Sequence, residues 1–339
     1  MRIVRSAQVA RPGGSFAVVE HQQSEPPRGH VRVAVEACGI CRSDEGFVDD
    51  VFPGVSFPLV PGHEIAGRID AAGDDAGGWS VGDRVAVGWF GGCCLVCQYC
   101  REGDFIHCVR LQVPGLAYPG GYSESIVVPT TALARIPTAL SAVDAAPMGC
   151  AGVTTFNALR RSPARPGDVV AVLGIGGLGH LGVRFAVALG FETVAIARGA
   201  HKADEAKQLG AHHYIDNTAG DVAQQLLALG GVMVVLATVG NSEAMGATIE
   251  GLRPRGELVA IGATPEPIPV SPLQLIMSSK SVHGHPSGTA REVEETMRFA
   301  ELAGVRAMIE TRPLAEADAA YQRMLSGQAR YRMVLTTGT

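Results

Sequence analysis

The sequence predicts an α/β protein in two parts, a compact β-rich or α+β unit followed by a parallel sheet wound with helices. Three observations carry this. In HVRVAVEACG, beginning at His30, the residues Val31, Val33 and Val35 alternate with Arg32 and Glu36, a period of two that marks a half-buried strand. After about residue 150, short apolar runs alternate with helical stretches, the rhythm of βαβ units. At the first of those strand-to-helix junctions stands Gly174-Ile175-Gly176-Gly177-Leu178-Gly179, a G-x-G-x-x-G pattern.

Taken in order, the β-rich pieces IAGRIDAAG, DRVAVGW and GYSESIVVP follow the first strand, separated by Gly, Pro and Asp turns. DVVAVLG (168–174) reads as a continuous apolar strand and GLGHLGVRFAVALG (177–190) as a helix. TVAIAR (193–198) is a second strand and KADEAKQLG a second helix; VMVVLAT (232–238) and GELVAIG (256–262) are further buried strands. Strands that alternate with helices imply a parallel sheet. From about residue 286 the text is mixed again, ending in the strand-like YRMVLTT, with no repeat, low-complexity stretch or flexible linker.

A length of 339 residues suits roughly two domains of ~150 residues. The net charge of −5 argues against a nucleic-acid partner, which would call for a basic excess. No apolar run approaches the ~18 residues of a membrane span, and MRIVRSAQVARPGG lacks the apolar stretch of a secretory signal. The eight cysteines are Cys38, Cys41, Cys93, Cys94, Cys97, Cys100, Cys108 and Cys150, five of them within sixteen residues. Such clustering in a chain of this kind favours metal over disulfides. The expectation is a soluble, cytoplasmic, metal-binding protein.

The glycine pattern has a physical reading for each member. Gly174 permits the tight turn, Gly176 lets a pyrophosphate approach the backbone, and Gly179 lets the helix pack close to the strand. With Gly177 and Leu178 they open a helix whose N-terminus offers free N–H groups to phosphate. The plain alternative is a structural turn. A carboxylate for the ribose 2′-hydroxyl is missing from the tip of the second strand, where Ala197-Arg198-Gly199 stands with Lys202 close behind. Two cations at that place predict NADP(H) over NAD(H), unless both are ordinary solvated residues.

Cys94, Cys97, Cys100 and Cys108 read C-x2-C-x2-C-x7-C, four thiols able to wrap one tetrahedral ion. Zinc suits four sulfurs, and a closed shell makes the site structural. An iron–sulfur cluster is the competing reading, and a register with Cys93 in place of Cys94 stays open. Cys41, His63 and Cys150 would make an open, catalytic type of site. From spacing alone they could equally be core thiols and a surface histidine.

The motifs CGICRSD, PGHEIAG, the four-cysteine loop, CAGVTTFNAL, VLGIGGLGHLG and the terminal RMVL occur in an order and spacing that resembles one family over essentially the whole chain. The chain is similar to the zinc-dependent alcohol dehydrogenases of the medium-chain dehydrogenase/reductase superfamily. The resemblance implies a GroES-like catalytic domain over residues 1–148 and 286–339, with a zinc lobe at about 91–109, interrupted by a Rossmann domain over 149–285. It implies two zinc ions per chain. Cys41, His63 and Cys150 would hold the catalytic one, with Glu64 as an alternating ligand; Cys94, Cys97, Cys100 and Cys108 would hold the structural one. Asp44 matches the carboxylate that orients His63, and Ser43 the hydroxyl of a proton relay. Gly46 departs from the pattern, since many members carry histidine there. Arg42 and Arg332 match pyrophosphate contacts; Thr154, Thr238, Gly240 and Ile261 match nicotinamide contacts; Phe52 and Trp89 match the substrate pocket. The implied activity is hydride transfer between a primary or secondary alcohol and NADP(H) in a homo-oligomer, a tetramer or dimer. The alternatives are an NAD-dependent polyol or formaldehyde-type dehydrogenase, and a non-catalytic NADPH-binding redox sensor. His180, His212 and His213 read as surface or helix-end residues, His283 and His285 as packing residues, and Cys38 as a buried thiol.

Overall fold

The computed structural model describes residues 2–338. Two units are present: one runs to Val153 and resumes over Ser287–Leu302 and from Arg306 onward, and the other comprises Thr154–Pro286 with Ala303–Val305.

The first unit is β-rich. An antiparallel hairpin, β1 (Arg2–Val9) and β2 (Phe16–Gln23), precedes the long strand β3 (His30–Ile40). After it come β4 (Glu64–Ala72), β5 (Arg84–Val87), β6 (Ser125–Pro129) and β7 (Leu133–Arg135). Strand β3 is the axis of this sheet. One edge pairs with β4; the other pairs with β6 along residues 30–34 and with the C-terminal strand along residues 37–40. The alternation read in the sequence is its physical basis, because Val31, Val33, Val35 and Ala37 are fully buried while Arg32 and Glu36 are not.

The second unit holds β8 (Val169–Leu173), β9 (Glu192–Ala197), β10 (His213–Asp216), β11 (Val232–Ala237), β12 (Leu252–Ala260) and β13 (Ser281–Gly284). All pairings are parallel, and the spatial order is β10-β9-β8-β11-β12-β13. That is the order of the dinucleotide-binding sheet, with its topological switch between β8 and β11. Burial along β8, β9 and β11 is nearly continuous, as a sheet covered on both faces requires. Strands β14 (Ile309–Pro313) and β15 (Arg332–Thr336) return the chain to the first sheet, where β15 pairs with β3.

The structure departs from the expected elements in places. In the hairpin, β2 offers no alternation to read, because it is mostly exposed on both sides. GYSESIVVP forms a strand only from Ser125. The mixed text after residue 286 contains a fourteen-residue helix, Ala290–Ala303, whose buried Val293, Thr296, Met297 and Ala300 are hidden among charges.

One close approach positions the chemistry. Gly88 follows β5, and a Cβ there would collide with the carbonyl oxygen of Gly149, the residue before Cys150. We expect Gly88→Ala to lower the unfolding free energy by about 1–3 kcal/mol in urea titration, the usual cost of overpacking.

Candidate metal centres and nucleotide loop

Cys41 follows the last residue of β3, His63 precedes β4, Glu64 opens β4, and Cys150 leads into the helix Ala151–Arg160. Their ligand atoms all lie within 4.8 Å of one another, and all four residues are buried. His63 has no exposed surface, so the surface-histidine alternative does not hold. Cys41 Sγ and Cys150 Sγ are 3.9 Å apart. A disulfide needs about 2.05 Å, whereas two thiolates each about 2.3 Å from a tetrahedral zinc would stand about 3.8 Å apart. His63 Nε2 and Glu64 Oε2 are buried with no hydrogen-bond partner. Orphaned polar atoms of this kind are costly unless something takes their lone pairs, so the set fits a dication.

The surroundings fix these groups. His63 Nδ1 lies 3.0 Å from Asp44 Oδ1, while Asp44 Oδ2 accepts from the Cys41 backbone N–H and from the Tyr122 hydroxyl, each at 2.9 Å. Glu64 pairs with Arg332, and both side chains are buried. Burial pushes the Glu64 carboxyl up to about 7, against the opposing pull of Arg332. Of the two thiols, Cys41 is held low, first by its contact with Cys150 and also by His63, while the contact with Cys41, and then burial, push Cys150 up. Arg332, expected on a pyrophosphate, is committed to Glu64 within the sheet. Arg42, also expected there, is exposed and pairs with Glu45 at 2.6 Å.

Phe52 and Trp89 form a half-buried aromatic group with buried Phe47. Phe47 stacks on Trp89 at 5.8 Å, and the His63 ring meets Trp89 edge-on at 5.0 Å. Ser43 is half-buried at the start of the helix Ser43–Val48. A Cβ at Gly46 would collide with the Phe52 ring, so Phe52 fills the space of the missing side chain. The sequence did not single out Phe47, nor Tyr122, whose hydroxyl partner Asp44 lies 78 residues away.

The second thiol cluster is Cys94, Cys97, Cys100 and Cys108, with Cys94 Sγ–Cys100 Sγ at 4.0 Å and Cys97 Sγ–Cys108 Sγ at 3.9 Å. These separations again match ligands on one tetrahedral ion. Among the described residues it is Cys94, not Cys93, that joins the set. Backbone N–H groups, Val96 foremost, bring the Cys94 thiol down to about 5, favouring the thiolate that metals bind.

In the second unit, Gly174 has φ +96°, and a Cβ at Gly179 would strike the Gly174 carbonyl oxygen. Gly176 has open space around it. Gly177 and Leu178 are half-buried and lead into the helix Gly179–Ala188. Thr238, at the end of β11, donates to the Leu173 carbonyl at 2.9 Å; Gly240 and Ile261 lie just beyond β11 and β12. Thr154 is buried in the helix Ala151–Arg160. Arg198 is exposed beyond the tip of β9, whereas Lys202 is paired with Glu205 at 2.8 Å, so it is not a free cation. His180 is not a surface residue; it is fully buried in the first turn of its helix, with Nδ1 2.9 Å from the Gly176 carbonyl. His283 lies exposed on the edge strand β13, in contact with Glu257 at 3.3 Å.

Residues 27–138 match the family model described as the alcohol dehydrogenase GroES-like domain, and residues 177–302 the one described as zinc-binding dehydrogenase. Alcohol dehydrogenase notN of Aspergillus sp. (strain MF297-2) is 39% identical over 311 residues, 92% of this chain and 91% of that protein. The chain belongs to the zinc-type alcohol dehydrogenases of the medium-chain dehydrogenase/reductase superfamily. Its fold is accordingly the GroES-like domain with a Rossmann sheet, and its reaction class is that of an alcohol dehydrogenase oxidoreductase. Among solved structures, cinnamyl alcohol dehydrogenase SbCAD4 of Sorghum bicolor superposes with a TM-score of 0.90 at 28% identity, covering 99% of this chain and 98% of that one. The CAD of Helicobacter pylori, complexed with NADP(H), gives 0.88 at 26%, covering 98% of each chain.

The Glu64–Arg332 pair makes a prediction about this dehydrogenase. Arg332→Met leaves a buried carboxylate without its counter-charge and should cost about 3–5 kcal/mol of stability. The double variant Glu64→Gln/Arg332→Met should recover most of it, as read by denaturant unfolding.

Proposed function

We propose that the chain is a zinc-dependent alcohol dehydrogenase or aldehyde reductase that prefers NADP(H), with Cys41, His63 and Cys150 holding the catalytic zinc and Glu64 as an alternating ligand. The structural zinc would sit on Cys94, Cys97, Cys100 and Cys108. The observation that carries this reading is the buried cluster, with its sulfurs 3.9 Å apart and an imidazole nitrogen left without a partner. A zinc ion in that ligand set supplies Lewis-acid stabilisation of the substrate oxygen. The chain's own residues supply the rest. Asp44 holds His63 by Nδ1 and so presents Nε2 to the thiols. Ser43 Oγ takes the substrate's hydroxyl proton. With the space beside Gly46 filled by Phe52, no side chain at 46 extends that path, and water receives the proton after Ser43. Phe52 and Trp89 wall the substrate and exclude water.

On the cofactor side, the open backbone at Gly176 and the free N–H groups of the following helix would take the pyrophosphate. Thr154, Thr238, Gly240 and Ile261 would line the nicotinamide. The preference for NADP(H) rests on exposed Arg198 at a strand tip that bears no carboxylate, because Lys202 is already paired. The NADP(H) complex of the Helicobacter relative supports the same choice. Among the described residues, no helix is long and apolar enough to cross a membrane. A cytoplasmic homo-oligomer completes the proposal.

Two measurements test it. Initial rates over an alcohol and aldehyde panel should give kcat/KM about tenfold or more in favour of NADP(H), and Arg198→Ala should erase that margin while leaving NAD(H) rates in place; a clear preference for NAD(H) by the unmodified enzyme overturns the cofactor assignment. Metal analysis should find two zinc ions per chain, falling to one in Cys150→Ser. A content of one or none in the unmodified protein overturns the catalytic zinc.

A further inference from the structure

Asp44 has more partners than the task of holding one imidazole requires. Its carboxylate is fully buried, with Oδ1 3.0 Å from His63 Nδ1 and Oδ2 accepting both the Cys41 backbone N–H and the Tyr122 hydroxyl at 2.9 Å. One carboxylate therefore touches the ring of one metal-cluster residue, the backbone of another, and a tyrosine 78 positions away in sequence.

Tyr122 is the largest of the fully buried side chains. Its backbone is zipped to the segment that ends in His63: Tyr122 N–H donates to the Pro61 carbonyl at 3.0 Å, and Gly121 N–H to the Gly62 carbonyl at 2.8 Å. The ring lies against Gly62, whose φ is +107°, so closely that a Cβ at Gly62 would be 2.5 Å from the ring. The same side chain thus sets the backbone before His63 and caps the carboxylate that holds the His63 ring.

We propose that Tyr122 is a positioning residue of the metal centre, fixing the plane of Asp44 through its hydroxyl and thereby the orientation and donor strength of His63 toward the ion. The inference rests on the proposed assignment of zinc to Cys41, His63 and Cys150. In a water-free site a carboxylate is held by its donors alone, and each donor restricts the direction of its remaining lone pairs. Removing the Tyr122 hydroxyl leaves Oδ2 with only the Cys41 N–H, and Oδ1 is no longer pinned toward Nδ1. Burial beside Asp44 holds the phenol above its ordinary pKa, so it remains a donor. Tyr118 provides the internal comparison: it is four residues away and its hydroxyl donates to the Gly91 carbonyl at 2.6 Å, with no line to Asp44.

The test uses the full chain loaded with zinc or with cobalt(II). Tyr122→Phe keeps the ring and the backbone contacts and removes only the hydroxyl. It should release zinc from the cluster to a chelator about tenfold faster, the lower end of what disturbing a ligand's outer partner costs in affinity. It should also shift the cobalt absorption bands, whereas Tyr118→Phe leaves both unchanged. In an Asp44→Asn background, Tyr122→Phe should add nothing further. Unmodified release and spectra in Tyr122→Phe, or effects that simply add to those of Asp44→Asn, overturn the proposal. If Tyr122→Phe does not fold, Tyr122→3-fluorotyrosine, which keeps the volume and makes the hydroxyl a stronger donor, should move the cobalt bands the opposite way; unmoved bands overturn it. Two metals per chain with an unaffected Tyr122→Phe sink this inference alone, whereas a wild-type chain with one metal sinks the zinc assignment beneath it.

Discussion

The metal cluster depends on the pairing of one short piece of backbone, the end of β3, with its two neighbours. On one side Gly39 pairs with Glu64, and on the other Ile40 pairs with Met333. The first pairing carries Cys41 to His63 and Glu64, and the second carries Arg332 to the same place. Gly39 is where the fit is tightest: a Cβ there would occupy the position of the Glu64 carboxylate. The sheet hydrogen bonds, which hold the β-rich unit together, thus set the distances among the ionisable groups.

Burial then decides what those groups can be. Asp44, His63, Glu64 and Arg332 are each at most 5% exposed, so none can be solvated by water. Charges so placed survive only in pairs or networks. Asp44 with His63, and Glu64 with Arg332, are two such compensations flanking two thiols. Among the buried atoms still without a hydrogen-bond partner are His63 Nε2 and Glu64 Oε2, which belong to the cluster itself. The same dry environment strengthens each surviving contact, which makes a hydroxyl as remote as that of Tyr122 able to act on the ring of His63.

What the sequence made legible was local or periodic. The four-cysteine spacing, the alternation in β3, the apolar run of β8 and the glycine pattern after it each reside in a short window. The Tyr122–Asp44 and Glu64–Arg332 contacts do not, because their members are 78 and 268 residues apart. No periodicity reports such a contact. The buried partner of Arg332, Glu64, leaves no sign in the sequence, and His180, read as a surface or helix-end residue, stands at the helix end but is buried. Gly46 is a mixed case. The sequence displayed the departure from the family pattern, but only the structure gave its steric counterpart in the ring of Phe52.

The two thiol clusters differ in how the chain builds them. Cys94 to Cys108 lie within fifteen residues, so closing that lobe around an ion costs little loop entropy, and the ion itself can order the segment. Cys41 and Cys150 are 109 residues apart and meet His63 only after β3, β4 and the turn at Gly149 have come together. Under the proposed assignment the first cluster would form as its metal binds, while the second would be built by the sheet before any ion arrives. That difference suits the proposed roles: a closed shell would have only to hold a loop, whereas an open one would have to present its ligands at a fixed geometry to a site that also admits substrate, and rigid backbone pairing around the end of β3 supplies that fixity.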